Sequence, residues 1–132
     1  MRIAAAAVMI PCVLAVTWLG GVWFAALIVV VGVAAAVEWT RIALDGSRVQ
    51  LLLHALAVVI AALFSVWFSL LPALAFVAFV WSASLVFMVA GDRKLSFTSF
   101  FSVPYIAVPI AALVHLRVSS DLGLIAIFWI FA

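Results

Sequence analysis

Glu38 and Arg41 are the first residues in this chain whose types and spacing could do chemistry. They stand three positions apart at the end of a long apolar run, so on a continuing helix they would share one face as an ion pair. The plainer reading is a solvated helix end, because charged side chains mark the ends of apolar spans by snorkelling to water. Asp92, Arg93 and Lys94 form a second charged group, read as a topology anchor, with contact to lipid phosphate as the lesser reading. His54, His115 and Arg117 are further ionisable residues near the ends of apolar runs. Neither histidine has a metal-ligand spacing with the other or with Cys12, so interface or packing roles are expected ahead of ligation or proton relay. Asp121 reads as a loop or helix-cap residue. No paired carboxylates, glycine-rich phosphate loop or nucleophile elbow is present in the sequence.

The elements that must position these residues are membrane spans. Of the 132 residues, 73% are hydrophobic and 8% are charged, more apolar surface than a water-soluble domain of this size can bury. The fold class expected is all-α, a polytopic transmembrane helix bundle with no separate soluble domain. The net charge of +2 is spread over too few residues to track phosphates along a nucleic acid, so no nucleic-acid partner is expected. Cys12 has no second cysteine to pair with and is read as a packing residue. Arg2 ahead of the apolar stretch Ile3 to Val16 has the outline of a signal peptide. It lacks a small-x-small cleavage site followed by a polar region, and Met9, Ile10 and Pro11 do not make a lipoprotein box before Cys12, so the segment is expected to be retained.

Spans are expected at Ile3 to Leu19, Val22 to Val37, Leu51 to Leu71, Ala73 to Ala90 and Phe100 to Leu116. From Leu122 a sixth apolar segment runs eleven residues to Ala132. At about 1.5 Å per residue that is roughly half of a hydrocarbon core of about 30 Å, and the expectation is five complete spans plus a truncated sixth. Gly20 and Gly21 predict a tight turn, and Pro72 predicts the break between the third and fourth spans, because proline disfavours helix at the residue before it. Polar connections are expected at Glu38 to Gln50, Gly91 to Ser96 and Arg117 to Asp121. Gly32 and Ala36 have the spacing of a close helix contact.

With a cytoplasmic N-terminus, Arg2, Arg41, Arg48, Arg93 and Lys94 all lie inside and only Arg117 outside, the bias that the positive-inside rule reads. Trp18, Trp23 and Trp67 then mark the outer interface and Trp39 the inner one.

The order Arg2, first span, Gly20-Gly21, Trp23-Phe24-Ala25, a second span closing on Glu38-Trp39-Thr40-Arg41, then Pro104-Tyr105, Leu116-Arg117 and Gly123 resembles the N-terminal half of bacterial phosphatidate cytidylyltransferase, or CDP-diacylglycerol synthase. The likeness spans nearly the whole chain, and its specificity lies in order and spacing. It implies an inner-membrane enzyme that joins CTP and phosphatidic acid into CDP-diacylglycerol with release of pyrophosphate, using a divalent metal, usually Mg²⁺. Carboxylates would hold the metal against the triphosphate and cations would neutralise charge during transfer.

In that family a Trp-x-x-Asp element, an Ala-Tyr and Gly-Arg run and a Ser-Pro-Lys motif follow the region matched here. If Trp129 were the tryptophan of the first element, its aspartate would stand at position 132, which is alanine. Residues 1–132 are therefore expected to be the N-terminal transmembrane region of a larger enzyme, inactive alone, with catalytic and metal-binding residues beyond Ala132. The candidate binding residues are Glu38, Arg41, Tyr105 and Arg117. Two departures stand out: Ser102 occupies a position where the family often has glycine, three residues before Tyr105, and His115 has no counterpart. The implied partners are CTP, phosphatidic acid and, for the helical region, a second copy in a homodimer. A non-enzymatic membrane scaffold or transporter-like subunit is the alternative, and another membrane enzyme of isoprenoid or lipid-linked metabolism a third reading.

Overall fold

The computed structural model describes residues 2–91, 97–119 and 121–131. Among them every regular element is a helix: α1 (Arg2–Leu19), α2 (Gly21–Ala43), α3 (Arg48–Trp67), α4 (Leu70–Ala90), the single turn α5 (Phe97–Phe100), α6 (Ser102–Ser119) and α7 (Asp121–Phe131). Four of these, α2, α3, α4 and α6, are long and apolar enough to cross a membrane. In hydrocarbon every backbone polar group must be satisfied within the protein, and a helix does this within its own segment.

Several boundaries differ from the sequence expectation. The helix of α2 outlasts its apolar run and carries Glu38, Trp39, Thr40 and Arg41 as regular helix to Ala43. Polar side chains end a span without ending a helix, and here Thr40 Oγ1 donates back to Ala36 O at 2.8 Å instead of breaking the ladder. The connection is correspondingly short. It turns through Asp45 and Gly46, both at positive φ (52° and 67°), with the Thr40 carbonyl accepting from Leu44 N–H at 3.1 Å and Gly46 N–H at 2.9 Å. The break between α3 and α4 falls at Phe68 and Ser69, not at Pro72. Pro72 occupies the first turn of α4, where a backbone N–H has no intrahelical partner to lose. Arg117 to Ser119 form the last turn of α6, not a connection. The expected connection Gly91 to Ser96, with its Asp92-Arg93-Lys94 cluster, lies outside the described residues after Gly91.

The helices α3 and α6 form the centre, each packing on both α2 and α4, while α1 packs mainly on α2 and α7 on α6. Two apolar clusters share the central pair. Phe24, Ile28 and Ala36 of α2 meet Val58 and Ala62 of α3 and Ile106, Ile110 and Val114 of α6, with Ile127 of α7. On the other side Ala57 and Ala61 of α3, Ala73, Val77 and Val80 of α4, and Val103, Ala107 and Ala111 of α6 pack together. Alanines four apart on α3 and on α6 keep the facing surfaces shallow, so the helix axes can approach closely. Gly32 extends this logic to α2: a Cβ there would lie 2.7 Å from Val58 Cγ1 and 3.0 Å from Ile110 Cδ1. Large apolar side chains such as Val30, Leu52, Phe79 and Val86 point outward, where the surrounding solvent is lipid.

Candidate functional site

Two ends of the bundle carry polar groups, and they are built differently. At the first end, the close of α2 and α4 meets the start of α3 and α6. Here Thr40, Gln50, His54, Ser84, Ser99 and Ser102 are all buried, a polar layer inside an apolar bundle. Gln50 and Ser84 bind each other across α3 and α4: Ser84 Oγ donates to Gln50 Oε1 at 2.6 Å, and Gln50 Nε2 donates to Ser84 O at 3.3 Å. Ser102 Oγ donates to Ser99 O at 2.8 Å, so the serine at the position where the resemblance suggested glycine fits by bonding locally.

His54 is placed one turn after Gln50 on the buried face of α3. Its Nδ1 lies 2.6 Å from Gln50 O. A carbonyl only accepts, so Nδ1 carries the proton and Nε2 is left as a bare acceptor. That Nε2 is buried with no partner, as is the indole N–H of Trp39.

Beside this layer Trp39 of α2 packs on Tyr105 of α6, ring centroids 5.1 Å apart and planes inclined by 31°. Tyr105 is 65% exposed. Glu38 and Arg41 are exposed on the closing turns of α2 and form no ion pair with each other. Arg41 sits in the last turn of its helix, where a cation favours the negative end of the macrodipole. Arg48 is exposed at the start of α3, so among the described residues this end presents two cations, two carboxylates (Glu38 and Asp45) and an aromatic pair to its surroundings. Trp81 Nε1 donates to Phe100 O at 2.6 Å, tying α5 to α4, and its ring packs against Phe100 and Phe101.

The opposite end is organised by Arg117. Its Nε donates to Thr17 O and its Nη2 to Trp18 O, each at 2.8 Å. Arg117 and Tyr105 are separated along α6 by roughly 18 Å at the helical rise, so Arg117 does not join the other three candidates. Glu38, Arg41 and Tyr105 share one end. His115 is half-buried at the Arg117 end and is 3.1 Å from Ser119 Oγ through Nε2. Gly123 of α7 presses on the Leu116 carbonyl so tightly that a Cβ would overlap it. The Gln50–Ser84 pair was not legible in the sequence, because residues 34 apart carry no periodic signal and Gln50 closes the expected polar connection Glu38 to Gln50.

Chemically, Ser119 Oγ lies beside a base, His115 Nε2, but it also donates to the His115 carbonyl at 2.6 Å, a local helix bond. No group of three His, Cys, Asp or Glu side chains able to hold a metal ion forms among the described residues. Cys12 is exposed. The described donor set does not fit a Mg²⁺ site, since Glu38 and Asp45 stand exposed without a third carboxylate beside them.

The family model for cytidylyltransferases matches residues 1–132, the whole chain. The chain belongs to the cytidylyltransferase family. No curated protein and no solved structure matches it. Membership makes this a chain of a nucleotidyltransferase enzyme family in lipid metabolism, with CTP and phosphatidate as the implied substrates. Its four span-length helices make it a multi-pass membrane protein of that family.

Proposed function

We propose that this cytidylyltransferase-family chain is the N-terminal transmembrane region of a bacterial inner-membrane CDP-diacylglycerol synthase, which forms CDP-diacylglycerol and pyrophosphate from CTP and phosphatidic acid. The observation that carries the reading is the family match across all 132 residues. The order of short elements from Arg2 to Gly123 supports its N-terminal placement. In this reading α1 and the four span-length helices make five spans, and α7 opens a sixth. The Mg²⁺-binding carboxylates and phosphate-neutralising lysines are supplied by sequence following Ala132, and residues 1–132 provide the supporting wall, with a homodimer as one use of its outer surface. The end bearing Arg41, Arg48, Glu38 and Tyr105 faces the cytoplasm, the side from which CTP arrives.

The test is formation of labelled CDP-diacylglycerol from labelled CTP and phosphatidic acid with Mg²⁺, in membranes holding either this chain or one extended by the coding sequence that follows the Ala132 codon. Product from the extended chain alone is expected. Product from residues 1–132 would overturn the placement of the catalytic groups, and an extension without acidic and lysine motifs, giving no product, would overturn the enzymatic reading.

A further inference from the structure

The helix α1 is attached to the rest of the molecule in an unusual way. Its main packing partner is α2, and Ile10, Val13, Leu14, Trp18 and Leu19 are exposed. A helix C-terminus leaves its last carbonyls without intrahelical donors. In α1 the Val16 carbonyl accepts from Gly20 N–H at 3.1 Å, while those of Thr17 and Trp18 accept from Arg117, a hundred residues away. The guanidinium is a planar fork that reaches two acceptors at once, and its charge meets the negative end of the α1 dipole. Gly20 makes room for it: φ is +67°, and a Cβ would lie 2.5 Å from Arg117 Nη2. Gly21, also at positive φ, has nothing within 4 Å of the place a Cβ would take. The chain between α1 and α2 is therefore a left-handed two-glycine turn, open on one side and clasped by one side chain on the other.

We propose that Arg117 is a latch, and that α1 is a separately docked helix which can leave the bundle while α2, α3, α4 and α6 stay folded. Among the described residues of α1, none belongs to either core cluster, and the five large apolar side chains named above are exposed. The latch also couples the two peripheral hairpins, because Arg117 follows Leu116, on whose carbonyl Gly123 of α7 rests.

Cys12, the only cysteine and exposed on α1, supplies a native labelling site. With a second spin label at Ser119→Cys, the chain in phosphatidylcholine vesicles should give a narrow distance distribution between α1 and α6. Arg117→Gln should broaden it and move it to longer distance with helix content unchanged by circular dichroism. Arg117→Lys, one ammonium in place of the fork, should fall between. Gly20→Ala, which keeps the charge but occupies the guanidinium's place, should broaden it as Arg117→Gln does. An unchanged distribution in Arg117→Gln would overturn the latch. So would loss of helix throughout the bundle, which would make α1 part of one cooperative unit.

Discussion

Buried hydroxyls in this protein have a local escape that a buried amide lacks. Thr17, Thr40 and Ser65 each donate to the carbonyl four residues earlier. Ser84 instead spends its proton on Gln50 Oε1. The two halves of the pair should then respond unequally. Gln50→Leu leaves Ser84 free to turn back onto its own helix, whereas Ser84→Ala strands a buried amide oxygen. Polar contacts inside membrane bundles average about 0.6 kcal/mol and reach about 1.7 kcal/mol, so Ser84→Ala should cost about 1 kcal/mol and Gln50→Leu less. Equilibrium unfolding in mixed micelles containing dodecyl sulfate measures both, and an equal or reversed order would show that the pair matters for packing rather than for satisfaction. Tyr105 separates ring from hydroxyl in the same assay. Tyr105→Phe should be neutral within about 0.5 kcal/mol, and Tyr105→Ala should lose the roughly 0.5–1.5 kcal/mol of an aromatic pair by uncovering Trp39. The apolar run placed Glu38 and Arg41 at a span end, whereas Tyr105, inside the expected span Phe100 to Leu116, was singled out by the family resemblance. That Arg117 serves α1 was not legible, because a partner a hundred residues distant is fixed only by the fold.

The helices were legible as apolar runs, and their ends were not. Hydropathy reports where a segment leaves hydrocarbon, so it closed the second span at Val37, six residues before α2 ends at Ala43. Proline was read as a break at Pro72, yet the chain breaks at Phe68 and Ser69 and uses the proline within the next first turn. The small-residue signal at Gly32 and Ala36 was correct in place, and the structure supplies its reason: α2 crosses both central helices there. Gly32→Ala should push Val58 and Ile110 aside and cost about 1–3 kcal/mol, the usual range for overpacking. Adding Val58→Ala should recover part of that loss by opening the space the new methyl needs. Unfolding of the two variants decides the matter, and equal stability of Gly32→Ala and the unaltered chain would mean that α2 is not seated on Val58. At α7 the contact is with backbone, which cannot rotate away. Gly123→Ala should therefore detach α7 from α6, read as faster proteolysis between Ser119 and Leu124 with α2 to α6 still protected.

Across the whole molecule the distribution of charge sets which way the bundle sits. Arg41 and Arg48 lie at the end formed by the close of α2 and the start of α3, and in the sequence Arg93 and Lys94 follow the close of α4, which reaches the same end. Arg117 is at the opposite end, where its two hydrogen bonds direct its charge onto the α1 carbonyls. A cation already engaged by a helix terminus weighs against the majority at the other end less than a free one would, so the bias of basic residues is stronger than a simple count gives. The N-terminus and the turn between α2 and α3 should accordingly face the cytoplasm. In a Cys12→Ser background, Ser47→Cys should react with a membrane-impermeant maleimide only after the cytoplasmic face is opened, and Ser119→Cys should react in intact cells. The reverse pattern would place Arg41, Arg48 and Tyr105 on the side without CTP. It would remove the topological basis for assigning that end to substrate entry, while leaving the family membership of the chain untouched.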